Sequence, residues 1–596
     1  MQIEKNYFLN IENSISDKAW VDRLNPETSR TAGAILSQLG LSEIVARILA
    51  GRGVDVDGAE AFLNPTLRDL MPDPSTLTDM NNLAARLTVA IINKEKVALF
   101  GDYDVDGACS VALMANYLRY FGLEVITHIP DRIFEGYGPN IDAMDNFVAN
   151  GASLIITLDC GTTSFEAITH AKSLGADVLI IDHHLGDENL PPANAIVNPN
   201  RADDISNLSY LCAAGVTFMT LVASNRDLRE QGQKNLPDLM QEVDLVALAT
   251  ICDVVPLLGL NRAFVLRGVE LMRARSNIGI AALALAAKIS GPINPYHLGF
   301  IIGPRINAGG RIGDATLGVK LLTSNDENET LVIAERLNQL NVERQNIEIS
   351  AVEEASAVAE AEIGEGEGPA VLVLASKDWH QGVVGLVAAR LKEKFSRPAF
   401  AISISPNGKA TGSGRSIAGV DLGSAVIKAV EKGIIEKGGG HAMAAGISLL
   451  PEQLGAFRSF LDDELEAQVK KARSSNELKI DAAITARAAN VDFIHLIEQA
   501  GPFGAQNPTP IFAFPSVRVR YIKIVGKGGH ISFTLDSGDG ARLQAIAFRA
   551  ANTPLGNLLF KAKEGDFPIH LCGTLGINHW QGREKAQLRV IDGASF

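Results

Sequence analysis

Four short apolar runs, each rich in β-branched residues, recur between residues 96 and 184. They are KVALFGD (Lys96 to Asp102), VITHIPD (Val125 to Asp131), LIITLDCG (Leu154 to Gly161) and VLIIDHH (Val178 to His184). The segments between them place apolar residues at helical spacing, so the pattern predicts alternating strands and helices and hence a parallel sheet. From Glu327 to Ile363 the apolar positions Leu331, Ala334, Leu337, Leu340, Ile347, Ala351 and Ala355 follow one helical face. One helix of that length would span roughly 50 Å and hold two domains apart across a cleft. Two helices with a break near Asn341 are the alternative. A second α/β region, from Glu367 to Val469, has the strand AVLVLAS ahead of a helix starting near Gly382 and then the segments GSGRS and GGGHAMAAG. The polar KKARSSNE (Lys470 to Glu477) reads as a linker. Beyond it, SVRVRYIKIV alternates, with Val517, Val519 and Tyr521 on one face and Arg518 and Arg520 on the other. SGDG fits a hairpin turn between HISFTL and RLQAIAF, so this end reads as a small all-β barrel with Tyr521 in its core.

These elements predict a multidomain α/β protein: a parallel-sheet domain and a smaller α/β domain joined by a long helix, then an all-β barrel. The expected boundaries are 1–80, a helical segment packing on the parallel-sheet domain and ending near the Pro-rich MPDPSTL; 81–326, the parallel-sheet domain; 327–363, the connecting helix; 364–469, the second domain; and 470–596, linker and barrel. A chain of 596 residues exceeds what one core supports, and 46% hydrophobic with 21% charged residues is ordinary for folded protein. Five cysteines without a CxxC pair argue against a disulfide framework and a zinc ribbon. The opening MQIEKNYFLNIENS does not read as a secretory signal, and the longest apolar stretch, Ile278 to Ala287, is too short to span a bilayer. The expectation is a soluble cytoplasmic protein without membrane contact. A net charge of −15 argues mildly against a nucleic-acid partner, an argument weakened if carboxylates cluster around cations.

They do cluster. GDYDVDG sets Asp102, Asp104 and Asp106 at alternate positions, where extended geometry would converge three carboxylates on one spot. Without a cation such groups repel, and hard divalent ions such as Mg²⁺ or Mn²⁺ take carboxylate oxygens, Mn²⁺ also imidazole. Alone, DxDxD reads more readily as a solvated acidic loop. Three further segments change that balance: TLDCG with Asp159, IIDHH with Asp182, His183 and His184, and ATICDVVPL with Asp253. Asp102, Asp159 and Asp182 fall at carboxyl ends of strands, where parallel sheets bind their ligands. A strand ending in Asp-His-His is hard to explain as core packing, and the set reads as a ligand cluster in a cleft. Cys160 and Cys252 flank it, but thiolates suit softer metals, so both read as small buried residues.

The order DYDVDG, LDCG, DHH, DVVPL resembles the DHH phosphoesterase family. GPRINAGGR (Gly303 to Arg311), DWHQGVVG (Asp378 to Gly385), GSGRS, GGGHAMAAG and PFGAQNPTPIF (Pro502 to Phe512) are similar to its RecJ branch, whose last domain is an oligonucleotide-binding barrel. The resemblance implies a 5′ to 3′ exonuclease that acts on single-stranded DNA in recombination and repair, releasing 5′ mononucleotides with two Mg²⁺ or Mn²⁺ ions. By position, Asp102, Asp104 and Asp159 would hold one ion and Asp106, Asp159, His183 and Asp253 the other. His184 would face the scissile phosphate, with Asp182 orienting a neighbouring histidine. Arg305, Asn307 and Arg311, in a Gly-rich loop, would grip phosphates. His380, Arg415 and His441 of the second domain would meet the 5′ end, although a lone histidine is as often structural. Arg518 and Arg520, with Lys523, Lys527 and Trp580 nearby, would form a basic face for the strand. Implied partners are single-stranded DNA, single-strand-binding protein and a RecQ-type helicase, with the chain itself a monomer. Two other readings stand beside this one: a DHH phosphoesterase for short oligonucleotides or cyclic dinucleotides, which would lack the barrel, and a non-catalytic single-strand-binding scaffold, which would lack some of the acids.

Overall fold

The computed structural model describes residues 7–595 apart from 133, 187, 276, 365, 407, 475, 527, 581 and 582; of residues 579, 580 and 583 only the backbone is described. Lys527 and the Trp580 side chain therefore lie outside the described structure. Five parallel strands form the first sheet: β1 (Val97–Gly101), β2 (Val125–His128), β3 (Leu154–Leu158), β4 (Asp177–Ile181) and β5 (Ala195–Val197), in the order β2-β1-β3-β4-β5. The central strands are buried on both faces, as their uninterrupted apolar runs require. Alternate residues divide between two cores: Leu99, Ile156 and Leu179 face one set of helices, and Phe100, Ile155 and Ile180 the other. The helices α1 (Val105–Tyr120), α2 (Ala213–Glu230) and α3 (Val243–Cys252) belong to the first core.

GPRINAGGR is not a loop but a helix, α4 (Gly303–Ile312). Its glycines serve close packing rather than flexibility: a Cβ on Gly309 would lie 2.8 Å from the Asp314 carbonyl and one on Gly310 2.6 Å from that of Tyr103. The connecting helix α5 (Glu327–Ile363) is continuous. Its first half packs Ile333, Leu337 and Leu340 into the catalytic core, and its second half packs Ala351, Ala355 and Ala359 against the second domain. Leu331, expected on the buried face, is exposed instead. Asn341 does not break the helix because its side chain accepts from Arg344, whose guanidinium also meets Glu348 at 2.5 Å.

The second domain holds a mixed sheet of β6 (Leu372–Ser376), β7 (Ala399–Ile404), β8 (Ala410–Arg415), β9 (Lys437–His441) and β10 (Ala444–Leu449), in the order β9-β10-β8-β7-β6. Its helix α6 (Val384–Phe395) follows DWHQGVVG. The expected linker is also helical: α7 (Leu454–Ser474) carries Lys470 and Lys471 on its exposed side while Phe457, Leu461, Leu465 and Val469 bury the other. The barrel strands β11 (Phe512–Val525), β12 (His530–Asp536), β13 (Arg542–Ala547), β14 (Ile569–Trp580) and β15 (Arg583–Ala594) close because β11 pairs with both β12 and β14. Val517 and Val519 are buried as expected, but Tyr521 is 69% exposed. The ladder slips between Arg520 and Lys523, and Tyr521 sits at φ 51°; this bulge reverses the alternation and turns the ring to solvent.

The N-terminal segment divides between two domains. Strand Ala19–Asp22 pairs in parallel with Glu477–Ile480, Trp20 Nε1 donates to Asp592 (2.9 Å), and Arg23 and Arg52 converge on buried Asp481 (2.8 and 3.0 Å). These contacts hold the barrel. Only the later part, with Leu67, Leu77 and Met80, joins the catalytic core.

Arg262 ties this junction together. It is 1% exposed, donates to the carbonyls of Phe62 (2.8 Å) and Gly501 (2.5 Å), and lies over the Phe62 ring at 3.6 Å. Arg262→Ala leaves these carbonyls buried without a donor and should weaken the junction by about 3 kcal/mol. Hydrogen exchange should then speed at the Leu257 amide, which bonds Ala505 across the same junction; unchanged protection there would refute the role.

Candidate metal centre

The acids converge where strand gives way to helix. β1 ends at Gly101, and α1 begins at Val105 with Asp104 as its N-cap, accepting from the amides of Asp106 (2.9 Å) and Gly107 (3.1 Å). Asp102, Asp104 and Asp106 are therefore not alternate residues of one extended run; the turn into the helix, rather than pleating, gathers them. Asp106 is 1% exposed and takes the amides of Ala213 and Ala214 at the N-terminus of α2 (2.7 and 2.8 Å). That helix end favours negative charge. Asp253 caps the C-terminus of α3. Asp159 follows β3 at φ 63°, a strained conformation for a residue with a side chain and one typical of functional turns.

Three groups of potential ligand atoms result, each within 4.8 Å: Asp102, Asp104 and Asp159; Asp106, His183 and Asp253; and Asp159, His183 and His184. His183 Nε2 stands 3.4 Å from Asp159, 3.6 Å from Asp253 and 3.7 Å from Asp106. Asp159 Oδ1 is buried with no hydrogen-bond partner. Burial and the mutual repulsion of Asp102, Asp104, Asp106 and Asp253 push its carboxyl well above the usual range. Burial and Asp104 do the same to Asp102, burial and Asp106 to Asp253. Crowded carboxylates with an orphaned oxygen fit hard divalent cations, and the donors are all oxygen and imidazole nitrogen. Burial pushes the Cys160 thiol up and that of Cys252 with it, which keeps both protonated and out of the donor set.

Asp182 is not short of partners. It accepts from the Thr162 amide and hydroxyl (3.1 and 2.7 Å), the amides of His183 and His184 (2.8 and 3.1 Å) and His184 Nδ1 (2.8 Å). Burial opposes its charge, yet the His184 bond and these donors hold it well below the usual carboxylate range. Burial likewise opposes a charge on His184, but the Asp182 hydrogen bond raises it to about 9. Asp182 thus fixes the His184 ring and turns its Nε2 away.

Around the acids, Arg311 is half-buried and donates to the Gly382 carbonyl of the second domain (3.1 Å). Burial lowers it to about 10. Asn307 is one turn earlier on α4, its Oδ1 buried and without a partner. Arg305 points elsewhere, to Asn338 (3.1 Å) and the Ile301 carbonyl (2.7 Å). His380 Nδ1 accepts from the Gly382 amide (3.1 Å), a turn-closing bond. Arg415 donates to Ser413 and the Gly414 carbonyl (both 2.8 Å), and His441 ends β9 exposed. Arg518 and Arg520 are on the barrel, both paired with Asp566.

A cavity of about 330 Å³ opens between the two α/β domains, lined by Tyr103, Arg132 and Tyr137 on one side and Gln381, Thr411 and Gly412 on the other. A second, of about 750 Å³, adjoins it through Tyr137 and Lys437. Arg132 lies over the Tyr103 ring at 4.9 Å, and the Tyr137 hydroxyl is 3.3 Å from His184 Nδ1. Sequence reasoning missed Arg132, Tyr103 and Tyr137. For Arg132 and Tyr137 the available signal was DRIFEGYG, an arginine with aromatics soon after a strand end, and Tyr103 lies within GDYDVDG itself.

Residues 96–250 match the DHH family N-terminal domain, residues 368–467 the DHHA1 domain and residues 480–592 the RecJ OB domain. The single-stranded-DNA-specific exonucleases RecJ of Salmonella typhimurium and Escherichia coli are each 33% identical over 564 residues, covering 93% of this chain and 96% of theirs. The crystal structure of RecJ in complex with Mn²⁺ from Thermus thermophilus superposes with a TM-score of 0.75 at 26% identity, covering 96% of this chain and 78% of that one.

Proposed function

The chain belongs to the RecJ family of DHH exonucleases, and from this we infer that it hydrolyses single-stranded DNA from an end with two divalent cations, in recombination and repair. The observation that carries the reading is the cluster of Asp102, Asp104, Asp106, Asp159, His183 and Asp253, with Asp159 belonging to two ligand groups. Asp102, Asp104 and Asp159 would hold one ion, and Asp106, Asp159, His183 and Asp253 the other. Bound there, Mn²⁺ or Mg²⁺ supplies a water acidified to a nucleophile and neutralises charge on the attacked phosphate. His184, its ring set by Asp182, faces a phosphate oxygen and can donate to it. Arg311, Asn307, Arg132 and Arg415 line the approach and supply donors suited to the backbone. A groove walled by both α/β domains favours one strand over a duplex.

Polarity from 5′ to 3′ with release of 5′ mononucleotides follows the family resemblance, as do a cytoplasmic location, action as a monomer and delivery of the strand by single-strand-binding protein or a RecQ-type helicase. Among the described residues no helix is long and apolar enough to cross a membrane. The barrel speaks against an enzyme for short oligonucleotides or cyclic dinucleotides, and the complete acid set against a non-catalytic scaffold. Single strands labelled at the 5′ or the 3′ end, incubated with Mn²⁺, test the reading. Label from the 5′ end should appear first as mononucleotide, and EDTA should stop it. Label released first from the 3′ end would overturn the polarity, and duplex digested as fast as single strand would overturn the substrate.

A further inference from the structure

Outside the acid cluster, two exposed aromatic rings stack on each other at the rim of the catalytic domain. Tyr296 and Phe300 lie with centroids 5.1 Å apart and planes 26° from parallel, 49% and 71% exposed. They sit four residues apart where Leu298–Ile302 form a single π-helical turn, an element rare enough that its occurrence often marks function. The turn is firmly seated. Leu298 and Ile302 are fully buried, the Leu298 carbonyl lies 3.5 Å from Cys252 Sγ, and a Cβ on Gly303 would meet that sulfur at 2.3 Å. Cys252 immediately precedes Asp253, so the rings stand on the wall that carries a metal-centre acid. The Arg589 guanidinium lies over the Tyr296 ring at 5.3 Å. Arg589 belongs to β15, where it pairs with Ile546 and Thr574.

We propose that Tyr296 and Phe300, with Arg589, form a stacking platform for the bases of the single strand on its path between the metal centre and the barrel. The inference rests on the exonuclease reading and deepens it. An exposed aromatic face accepts any base, and an adjacent guanidinium both strengthens stacking and neutralises a backbone phosphate. The platform bridges two domains that each contact the strand in that reading, so its occupant is DNA rather than a protein partner.

The test uses the full chain and a single strand of roughly 20 nucleotides carrying 2-aminopurine at successive positions, with Ca²⁺ in place of Mn²⁺ so that binding is read apart from cleavage. In the wild type, fluorescence should be quenched at the positions that reach the platform. Phe300→Ala should relieve that quenching and raise Kd about tenfold, the loss of one stacking face, and Phe300→Trp should restore both. An unchanged Kd and unchanged quenching in Phe300→Ala would overturn the platform. Cleavage in Mn²⁺ by the same wild-type protein reports on the exonuclease reading separately.

Discussion

Asp159→Asn should lower hydrolysis of single strands by at least about 10³-fold, some 4 kcal/mol of transition-state stabilisation, while the protein stays folded and still binds DNA. Asp159 is the acid shared between two ligand groups, and its Oδ1 has no hydrogen-bond partner. In the proposed two-ion arrangement, losing it would remove a donor from both ions at once. Asparagine is nearly the same shape and tolerates φ 63° better than alanine, so the change isolates charge from backbone strain. The metal-free variant should melt no lower than the metal-free wild type, because one of several mutually repelling buried carboxylates is gone. Calorimetric titration should show Mn²⁺ affinity weakened. Activity within tenfold of wild type would refute Asp159 as the shared ligand.

Gly107→Ala should cost roughly 100-fold in kcat through one methyl group. A Cβ at Gly107 would stand 2.4 Å from the Asp102 carbonyl oxygen and 2.7 Å from that residue's backbone nitrogen. Real contacts are never that short, and backbone cannot rotate away. The start of α1 must back off, carrying Asp104 and Asp106 from Asp102 and loosening the bonds Asp106 makes to Ala213 and Ala214. Misplacement near 1 Å is enough for such a loss, and overpacking should remove about 1–3 kcal/mol of stability as well. Gly33→Ala is the control: an exposed helical glycine with nothing within 4 Å of the added methyl, where stability should rise by about 0.5–1 kcal/mol. Parallel thermal melts and steady-state kinetics decide it; Gly107→Ala with wild-type kcat would refute the tight approach.

The features readable from the chain were those with local periodicity. The runs ending at Asp102, Asp159 and Asp182 are strands because they are apolar throughout, and α5 was visible because its apolar positions repeat from Leu331 to Ala355, about seven turns. Local cues misled where tertiary contacts decide. Glycines in GPRINAGGR suggested a loop, but close packing against Tyr103 and Asp314 selects them inside a helix. Lysines in KKARSSNE suggested a linker, although Val469, Leu465, Leu461 and Phe457 show the buried row of a helix. Tyr521 followed the alternation until a bulge reversed it. Arg132 escaped notice because a single arginine has no period, and its place beside Tyr103 depends on how the loop after β2 folds. The short strand Ala19–Asp22 had no local signal, since its partner lies in the barrel's approach.

That pairing has a consequence for the order of events during synthesis. Arg23 and Asp481 are 458 positions apart, so the N-terminal strand leaves the ribosome long before anything exists to pair with it. Trp20 and Ile11, buried in one cluster with Leu478, Ile480, Ala513, Cys572 and Ala594, must wait in contact with water through the making of both α/β domains. An aromatic segment exposed for so long is a natural target for chaperones and a hazard for self-association. The barrel, made after both α/β domains, is thus what lets the strand Ala19–Asp22 settle.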